Sequence, residues 1–167
     1  MKKLLLAALA TTLTLANPVA ARTFTAVETL VKEVEKTGTT FTINTNDYDR
    51  ECVGNRGYYA FKKDAYDVLV LCKDQVDVTD VHAVWEILAH EATHIMQACT
   101  PGGDTTFRDE DHPGMIEDLK VAAPEDLDLI VEAYEKHEWK AELEAFWMMR
   151  QNPATVIDYL RQICAAR

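Results

Sequence analysis

The sequence lacks a hydrophobic run long enough to remain in a membrane as a helix, and it lacks the C-x-x-C spacing of cysteine-rich zinc sites. A spanning helix needs about 20 apolar residues, whereas the most apolar stretch, residues 4–15, is shorter. Without C-x-x-C, a zinc site made of the cysteines alone is disfavoured. The sequence also has no internal repeat and no low-complexity segment, so its 167 residues predict one domain with a real core.

The first 21 residues have the pattern of a secretory signal peptide. Met1-Lys2-Lys3 is a short basic start, residues 4–15 are apolar or small, and the small residues that end at Ala21 offer a cleavage site. No cysteine lies near that site, which argues against a lipid anchor. We therefore expect residues 1–21 to be a signal peptide and residues 22–167 to form the mature domain. The mature protein is expected to be exported, periplasmic or extracellular, without a membrane anchor.

Positive charge is scarce, with 17 Lys and Arg residues against 28 Asp and Glu residues. The predicted signal peptide holds two of the basic residues and none of the acidic ones. The mature chain therefore carries 15 basic and 28 acidic residues, a net charge of −13. Such a charge disfavours nucleic acid and anionic membranes as partners.

His90-Glu91-Ala92-Thr93-His94 is a complete H-E-x-x-H motif. On a helix, two histidines four residues apart lie on one face and can hold one metal ion. Glu91 lies about 100° further round the helix, where it can take a proton from a metal-activated water without being a ligand. Zinc suits this chemistry because it lowers the pKa of a bound water toward neutrality. The alternative is a chance match on an amphipathic helix whose histidines are solvated.

A helix is predicted over residues 81–99, around the motif. Thr79 or Asp80 can cap it, no Gly or Pro interrupts it, and Pro101-Gly102-Gly103 ends it. His90 and His94 lie on the far side of this helix from its apolar stripe, so another element must cover them. The stripe consists of Val81, Val84, Leu88, Ala92 and Ile95.

The remaining segments predict an α+β fold. A capping box at Thr25-Ala26-Val27-Glu28 begins a first helix, which ends at Gly38. Strands are expected at residues 39–45, 57–61 and 68–72, as an antiparallel meander. Residues 100–113 are expected to be a loop, followed by helices near 115–121, 124–136, 137–151 and 153–164. The predicted fold is a short antiparallel sheet packed on the motif helix, followed by a helical C-terminal half.

Four cysteines in an exported chain predict two disulfides, for which three pairings are possible. We pair Cys52 with Cys72, which joins the loop after the first strand to the end of the third strand. We pair Cys99 with Cys164, which joins the end of the motif helix to the last helix.

Three carboxylates, Glu138, Glu142 and Glu144, could supply a third metal ligand. At about 100° per residue, Glu142 lies at the edge of the predicted apolar face, Glu138 lies one turn earlier, and Glu144 points away from it. A carboxylate beside an apolar face is costly unless it is paired or binds a metal. Glu142 therefore ranks first, Glu138 second and Glu144 third. The alternative is that Glu142 pairs with Lys140 or Arg150. The apolar face is predicted to consist of Trp139, Leu143, Phe146 and Trp147.

The H-E-x-x-H motif followed by Glu142-Leu143-Glu144-Ala145 resembles the gluzincin branch of zinc metallopeptidases over roughly residues 68–147. The resemblance implies a small zincin-like domain. Many gluzincins carry Asp or Asn where this chain has Phe146. The metzincin branch is a poor match, because Gln97 and Thr100 stand where it requires Gly and His.

The sequence thus predicts an exported zinc peptidase that acts on a peptide or protein substrate. Zn²⁺ would be bound by His90, His94 and Glu142, with Glu91 as the general base. The rival hypothesis is a catalytically inactive, disulfide-bonded binding module that retains a zincin-like fold. Stabilisation of the oxyanion needs a further donor, and the sequence does not choose among its candidates. These candidates are His112, Tyr134, His137 and Tyr159.

Overall fold

The computed structural model describes residues 22–62 and 66–166, so the predicted signal peptide lies outside the described residues. The fold is α+β, with a small three-stranded sheet and six helices among the described residues. In that part of the chain, no helix is long and apolar enough to cross a membrane. The elements in chain order are α1 (Phe24–Lys36), β1 (Thr40–Asn44), β2 (Gly57–Lys62), β3 (Tyr66–Cys72), α2 (Val81–Cys99), α3 (His112–Ala122), α4 (Pro124–Ala133), α5 (Trp139–Met149) and α6 (Pro153–Ile163).

The sheet has the strand order β1-β3-β2, so the last strand in the sequence lies in the centre. β3 pairs antiparallel with β2 and parallel with β1, with Thr40 opposite Val68 and Asn44 opposite Cys72. The predicted antiparallel meander is therefore wrong. The physical reason is burial: a central strand is hydrogen-bonded at both edges and lies deeper than an edge strand, which suits the nearly continuous apolar run of β3. The connection from β1 to β2 accordingly crosses to the opposite edge of the sheet.

α2 is the central helix of the core, and its ends lie where the sequence predicts them. The Asp80 side chain accepts hydrogen bonds from the backbone N–H groups of His82 and Ala83, at 2.9 and 3.3 Å. The predicted apolar stripe is largely buried, with Leu88, Ala92 and Ile95 almost wholly inaccessible to solvent. α1, α6 and the sheet pack around this helix, so the side that carries the histidines remains for another element.

Several helix ends differ from the prediction. The predicted capping box at Thr25 is wrong: Thr23 is the N-cap, its hydroxyl accepts a hydrogen bond from Ala26 N at 3.2 Å, and α1 therefore begins at Phe24. α4 ends at Ala133 and α5 begins only at Trp139. Between them Tyr134 is extended, and the Trp139 indole N–H donates to the Tyr134 carbonyl at 3.0 Å. This local bond stabilises a turn that helical periodicity does not reveal.

Both predicted disulfide pairings are confirmed. Cys52 is bonded to Cys72 at the end of β3, and Cys99 at the end of α2 is bonded to Cys164 directly after α6. The first bond closes a chain segment with a sequence separation of 20, and the second closes one with a separation of 65. The second disulfide therefore fastens the central helix to the C-terminal end of the fold.

We predict that the two disulfides stabilise the protein unequally. Replacing Cys99 and Cys164 with Ser should lower the free energy of unfolding by about 4 kcal/mol, and replacing Cys52 and Cys72 with Ser should lower it by about 3 kcal/mol. The difference is expected because the disulfide that closes the longer loop restricts the entropy of the unfolded chain more strongly. Urea denaturation of the two double variants measures the difference. A larger loss from the Cys52 and Cys72 pair would contradict the loop-closure explanation.

Candidate metal centre

α2 and α5 bring two histidines and one glutamate together. His90 Nε2 and His94 Nε2 lie 3.3 Å apart. Glu142 places Oε2 3.3 Å from His90 Nε2 and Oε1 3.5 Å from His94 Nε2. The element that covers the histidine side of α2 is thus α5, and the three side chains form a group that could bind a metal ion.

The separations between these ligand atoms suit a tetrahedral ion. Zinc bonds to nitrogen and carboxylate oxygen are about 2.0–2.1 Å long, so neighbouring ligand atoms of a tetrahedral site lie about 3.3–3.4 Å apart. The two Nε2 atoms lie 3.3 Å apart, and they lie 3.3 and 3.5 Å from different oxygens of Glu142. The spacing of the two histidines therefore suits such an ion, and the Glu142 carboxylate lies close enough to be the third ligand.

The Glu142 carboxylate has an incompletely satisfied oxygen. Its Oε2 is buried 3.3 Å from His90 Nε2 and has no hydrogen-bond partner among the residues that the structure describes. Buried polar atoms are usually paired with protein or water, and a carboxylate oxygen without a donor is costly. A cation held by the same three side chains would provide the missing partner.

The electrostatics of the group follow from burial and mutual contact. Burial lowers the pKa of His90, but the Glu142 and Glu91 carboxylates outweigh burial, so this pKa is raised above its usual value. Burial raises the pKa of Glu142, but His90 and His94 outweigh it, so this pKa is lowered. Glu142 is therefore ionised at neutral pH. A metal ion that binds here must displace the proton that this environment favours on His90.

The other two candidate carboxylates lie elsewhere. Glu138 is exposed just before α5 and accepts a hydrogen bond from Glu135 N at 3.0 Å. Glu144 is completely buried, so the prediction that it points away from the buried face is wrong. The physical reason is that the loop after α2 and the start of α3 cover the side of α5 opposite Phe146. Two loop N–H groups, those of Thr106 and Phe107, donate to Glu144 at 2.7 and 3.0 Å.

The alternative partners for Glu142 are also excluded. Lys140 pairs with Asp109 at 2.7 Å. Arg150 pairs with Glu86 and Asp126, both at 2.8 Å. Neither cation therefore neutralises Glu142, which leaves the two histidines as its charged neighbours.

Phe146, which stands where many gluzincins carry Asp or Asn, packs against a histidine of the group. Its ring meets the His90 ring edge to face, with 4.9 Å between the ring centroids. The His90 and His94 rings also meet edge to face, at 5.0 Å. The residue at position 146 therefore holds the His90 ring by an aromatic contact and not by a hydrogen bond.

A cleft of about 410 Å³ opens beside His90 and Glu91. Residues from α2, α4 and α5 and the turn before β2 line it, and its surface is mainly apolar. Glu91 is buried within its wall. The cleft thus places a carboxylate beside the metal-ligand group and next to space for another molecule. The other lining residues are Gly54, Asn55, Arg56, Gly57, Glu86, Ile87, Leu129, Ala133, Tyr134, Phe146 and Met149.

Gly57 determines how closely β2 approaches α2 in this cleft. A Cβ atom at this position would lie 2.5 Å from Ile87 Cγ2 and 2.9 Å from the Val70 carbonyl oxygen. It would also lie 3.8 Å from Glu91 Cγ. Only glycine allows the strand to pack this tightly beside Glu91, a role that the sequence did not reveal.

Glu86, which lines the cleft, belongs to a network of ion pairs that was not predicted. The Glu86 carboxylate accepts hydrogen bonds from Arg22 and Arg150, both at 2.8 Å. Arg150 also donates to both oxygens of Asp126. The pKa of Asp126 is nevertheless raised, because burial outweighs the arginine. The network connects α4 to α2 and to the residue that follows α5, and it neutralises Glu86.

Of the four candidates for stabilising an oxyanion, Tyr134 alone lines this cleft. Burial and the Glu142 and Glu91 carboxylates raise its pKa, so its phenol stays protonated at neutral pH and can donate a hydrogen bond. The others lie elsewhere: His112 bonds to Glu144, His137 is exposed beside Glu135, and Tyr159 packs on Phe107.

Comparison with known proteins gives a family without an assigned activity. No curated protein and no solved structure shows a significant match to the chain. Residues 24–165 match the family described as a domain of unknown function, DUF8637. The matched region extends from α1 to α6 and therefore includes His90, His94 and Glu142. The chain is a member of the DUF8637 family.

Proposed function

We propose that this protein is an exported zinc-dependent peptidase with a zincin-like fold, related in its site to the gluzincins. The observation that carries the proposal is the spacing of 3.3–3.5 Å among His90 Nε2, His94 Nε2 and the Glu142 oxygens, beside a cleft that contains Glu91. The resemblance of the H-E-x-x-H motif to gluzincins supports a peptide as the substrate.

The choice of zinc follows from the ligand types. Two imidazoles and one carboxylate suit zinc better than magnesium or calcium, which prefer oxygen ligands. Three protein ligands are also typical of catalytic zinc sites, where water or substrate takes the remaining position. A structural zinc site would normally have four protein ligands, and no fourth is grouped with these three among residues 22–62 and 66–166.

In the proposed reaction, His90, His94 and Glu142 would hold zinc, which would supply a Lewis acid for the water and for the peptide carbonyl. Glu91 accepts the proton from the attacking water and then delivers it to the departing amine. Tyr134 donates a hydrogen bond to the oxygen that gains negative charge. The apolar cleft walls, including Leu129 and Phe146, accommodate a substrate side chain and limit access of water.

Export is part of the proposal because of the disulfides. Cys52–Cys72 and Cys99–Cys164 use all four cysteines, and such bonds persist in oxidising compartments. The signal-like pattern of residues 1–21 agrees with this interpretation.

We predict one zinc ion per chain, and its loss when Glu142 is replaced with Ala, because two imidazoles alone bind zinc weakly. Glu138→Ala is the matched control, since that carboxylate is exposed and bonds only to a backbone N–H. Elemental analysis after zinc reconstitution and desalting measures the metal. Less than about a tenth of an equivalent in the parent protein would contradict the proposed site.

We predict that Glu91→Gln retains zinc and loses at least about 10²-fold in peptide hydrolysis, the usual magnitude of general-base catalysis. The amide has nearly the same shape as the carboxylate but cannot accept the proton. Hydrolysis of a mixed peptide library, followed by mass spectrometry, measures activity without assuming a cleavage preference. If parent and variant both bind zinc and neither cleaves peptides, the protein is a metal-binding module and the peptidase proposal fails.

We predict that Tyr134→Phe lowers kcat by about 10²- to 10³-fold, as the loss of one oxyanion donor does in other enzymes. Zinc content and KM should change little, because the ring remains and only the hydroxyl is removed. Tyr159→Phe is the control, since that tyrosine packs on Phe107 away from the cleft. Equal kcat values for the parent and Tyr134→Phe would exclude this role for Tyr134.

A further inference from the structure

We propose that Gln97 is a positioning residue that fixes the tautomer of His94, keeping the ring proton on Nδ1 and leaving Nε2 free to bind a metal. The consequence for metal binding rests on the proposed function, whereas the tautomer is a property of the metal-free protein. The two can therefore be tested separately.

The orientation of the Gln97 amide follows from its two neighbours on α5. Its Nε2 lies 2.9 Å from the Ala141 carbonyl oxygen and 3.1 Å from Glu144 Oε2. A backbone carbonyl can only accept hydrogen bonds. The amide nitrogen must therefore face α5, because the reverse orientation would place two acceptors against each other.

The orientation of the amide determines which nitrogen of His94 carries the proton. Gln97 Oε1 lies 2.8 Å from His94 Nδ1. An amide oxygen can only accept a hydrogen bond, so Nδ1 must donate it. In a neutral imidazole the other nitrogen, Nε2, then carries the free lone pair. That nitrogen is the one that faces His90 and Glu142.

Glu144 holds Gln97 in this orientation through a rigid set of contacts. Its carboxylate is fully buried and accepts from Thr106 N, Phe107 N and Gln97 Nε2, and it bonds to His112 Nε2 at 2.9 Å. Four partners suit a buried carboxylate, which is costly unless its lone pairs are used. These contacts anchor Glu144 to the loop after α2 and to α3. Gln97 therefore cannot rotate without breaking a buried contact.

A purely structural role would be simpler, because Gln97 also joins α2 to α5. The two roles use different atoms of the amide. The contact with α5 uses Nε2, whereas Oε1 serves only His94 among the hydrogen bonds of the described chain. Hydrogen bonds to the second nitrogen of a metal-binding histidine fix its tautomer and orient its ring. A structural role alone would leave the His94 tautomer unconstrained.

The first test measures the tautomer in the metal-free protein. Nitrogen-15 NMR of the histidine rings distinguishes a proton on Nδ1 from one on Nε2. We expect the parent protein to carry the His94 proton on Nδ1, and Gln97→Met to populate the Nε2 form, because Met has a similar shape without an acceptor oxygen. A His94 proton on Nε2 in the parent, or an unchanged tautomer in Gln97→Met, would overturn the proposal.

The second test measures zinc affinity by competition with a chromophoric chelator. We expect Gln97→Met to bind zinc about 10- to 100-fold more weakly than the parent, the usual effect of losing such a hydrogen bond. Gln151→Met is the matched control, since the Gln151 side chain donates to the Trp147 carbonyl and takes no part in the contacts of Gln97 or His94. Its zinc affinity should stay within about twofold of the parent value.

Each outcome of the second test discriminates. Equal zinc affinity of the parent and Gln97→Met would overturn the positioning role, as would an equal loss of affinity in Gln151→Met. A parent that binds no zinc yet keeps the His94 proton on Nδ1 would contradict the proposed function while supporting the role of Gln97. If Gln97→Met fails to fold, the tautomer of the parent still decides the question.

Discussion

Contact between α2 and α5 buries two carboxylates, and the rest of the site depends on how each is compensated. Glu144 is compensated completely, by two backbone N–H groups and two side chains. Glu142 lies two residues earlier and retains an unpaired oxygen beside two imidazoles. Burial of charge is tolerated only where partners exist. One carboxylate therefore stabilises the helix pair, while the other provides a place for a cation.

α2 separates the apolar core from this polar region. One side of the helix packs against α1, α6 and the sheet, and the other side carries His90 and His94 against α5. The core side gives the helix a fixed position, which a group of converging ligands requires. The Cys99–Cys164 bond adds a covalent link at the end of the same helix. The metal-ligand group thus lies on one of the most constrained elements of the fold.

Features carried by distinctive residue types, such as helix caps, cysteines and the H-E-x-x-H motif, could be predicted from the sequence, whereas strand order and burial by loops could not. The limits of α2 follow from Asp80 and from the prolines and glycines after it, and the disulfide pairing follows from the predicted ends of the elements. Strand order does not follow from the sequence, because the alternation of apolar and polar residues shows which face of a strand is buried but not which strands lie beside it. The prediction for Glu144 was wrong because helical periodicity identifies only the apolar face of α5, whereas the loop after α2 buries the opposite face. The role of Gly57 depends on the approach of a strand and a helix about 30 residues apart in sequence.

The walls of the cleft differ in how freely their residues can be substituted. On the strand side, the backbone of Gly57 lies against Ile87 and Val70. Any side chain at this position would push β2 away from α2, so glycine cannot be replaced without changing the fold locally. Elsewhere in the cleft, α4 contributes Leu129 and Ala133, Tyr134 follows its last residue, and Leu129 is 46% exposed. Substitutions on α4 can widen or narrow the cleft at little cost to the core. Among relatives of this protein, differences in the shape of the cleft should therefore be concentrated on α4, while the strand side stays constant.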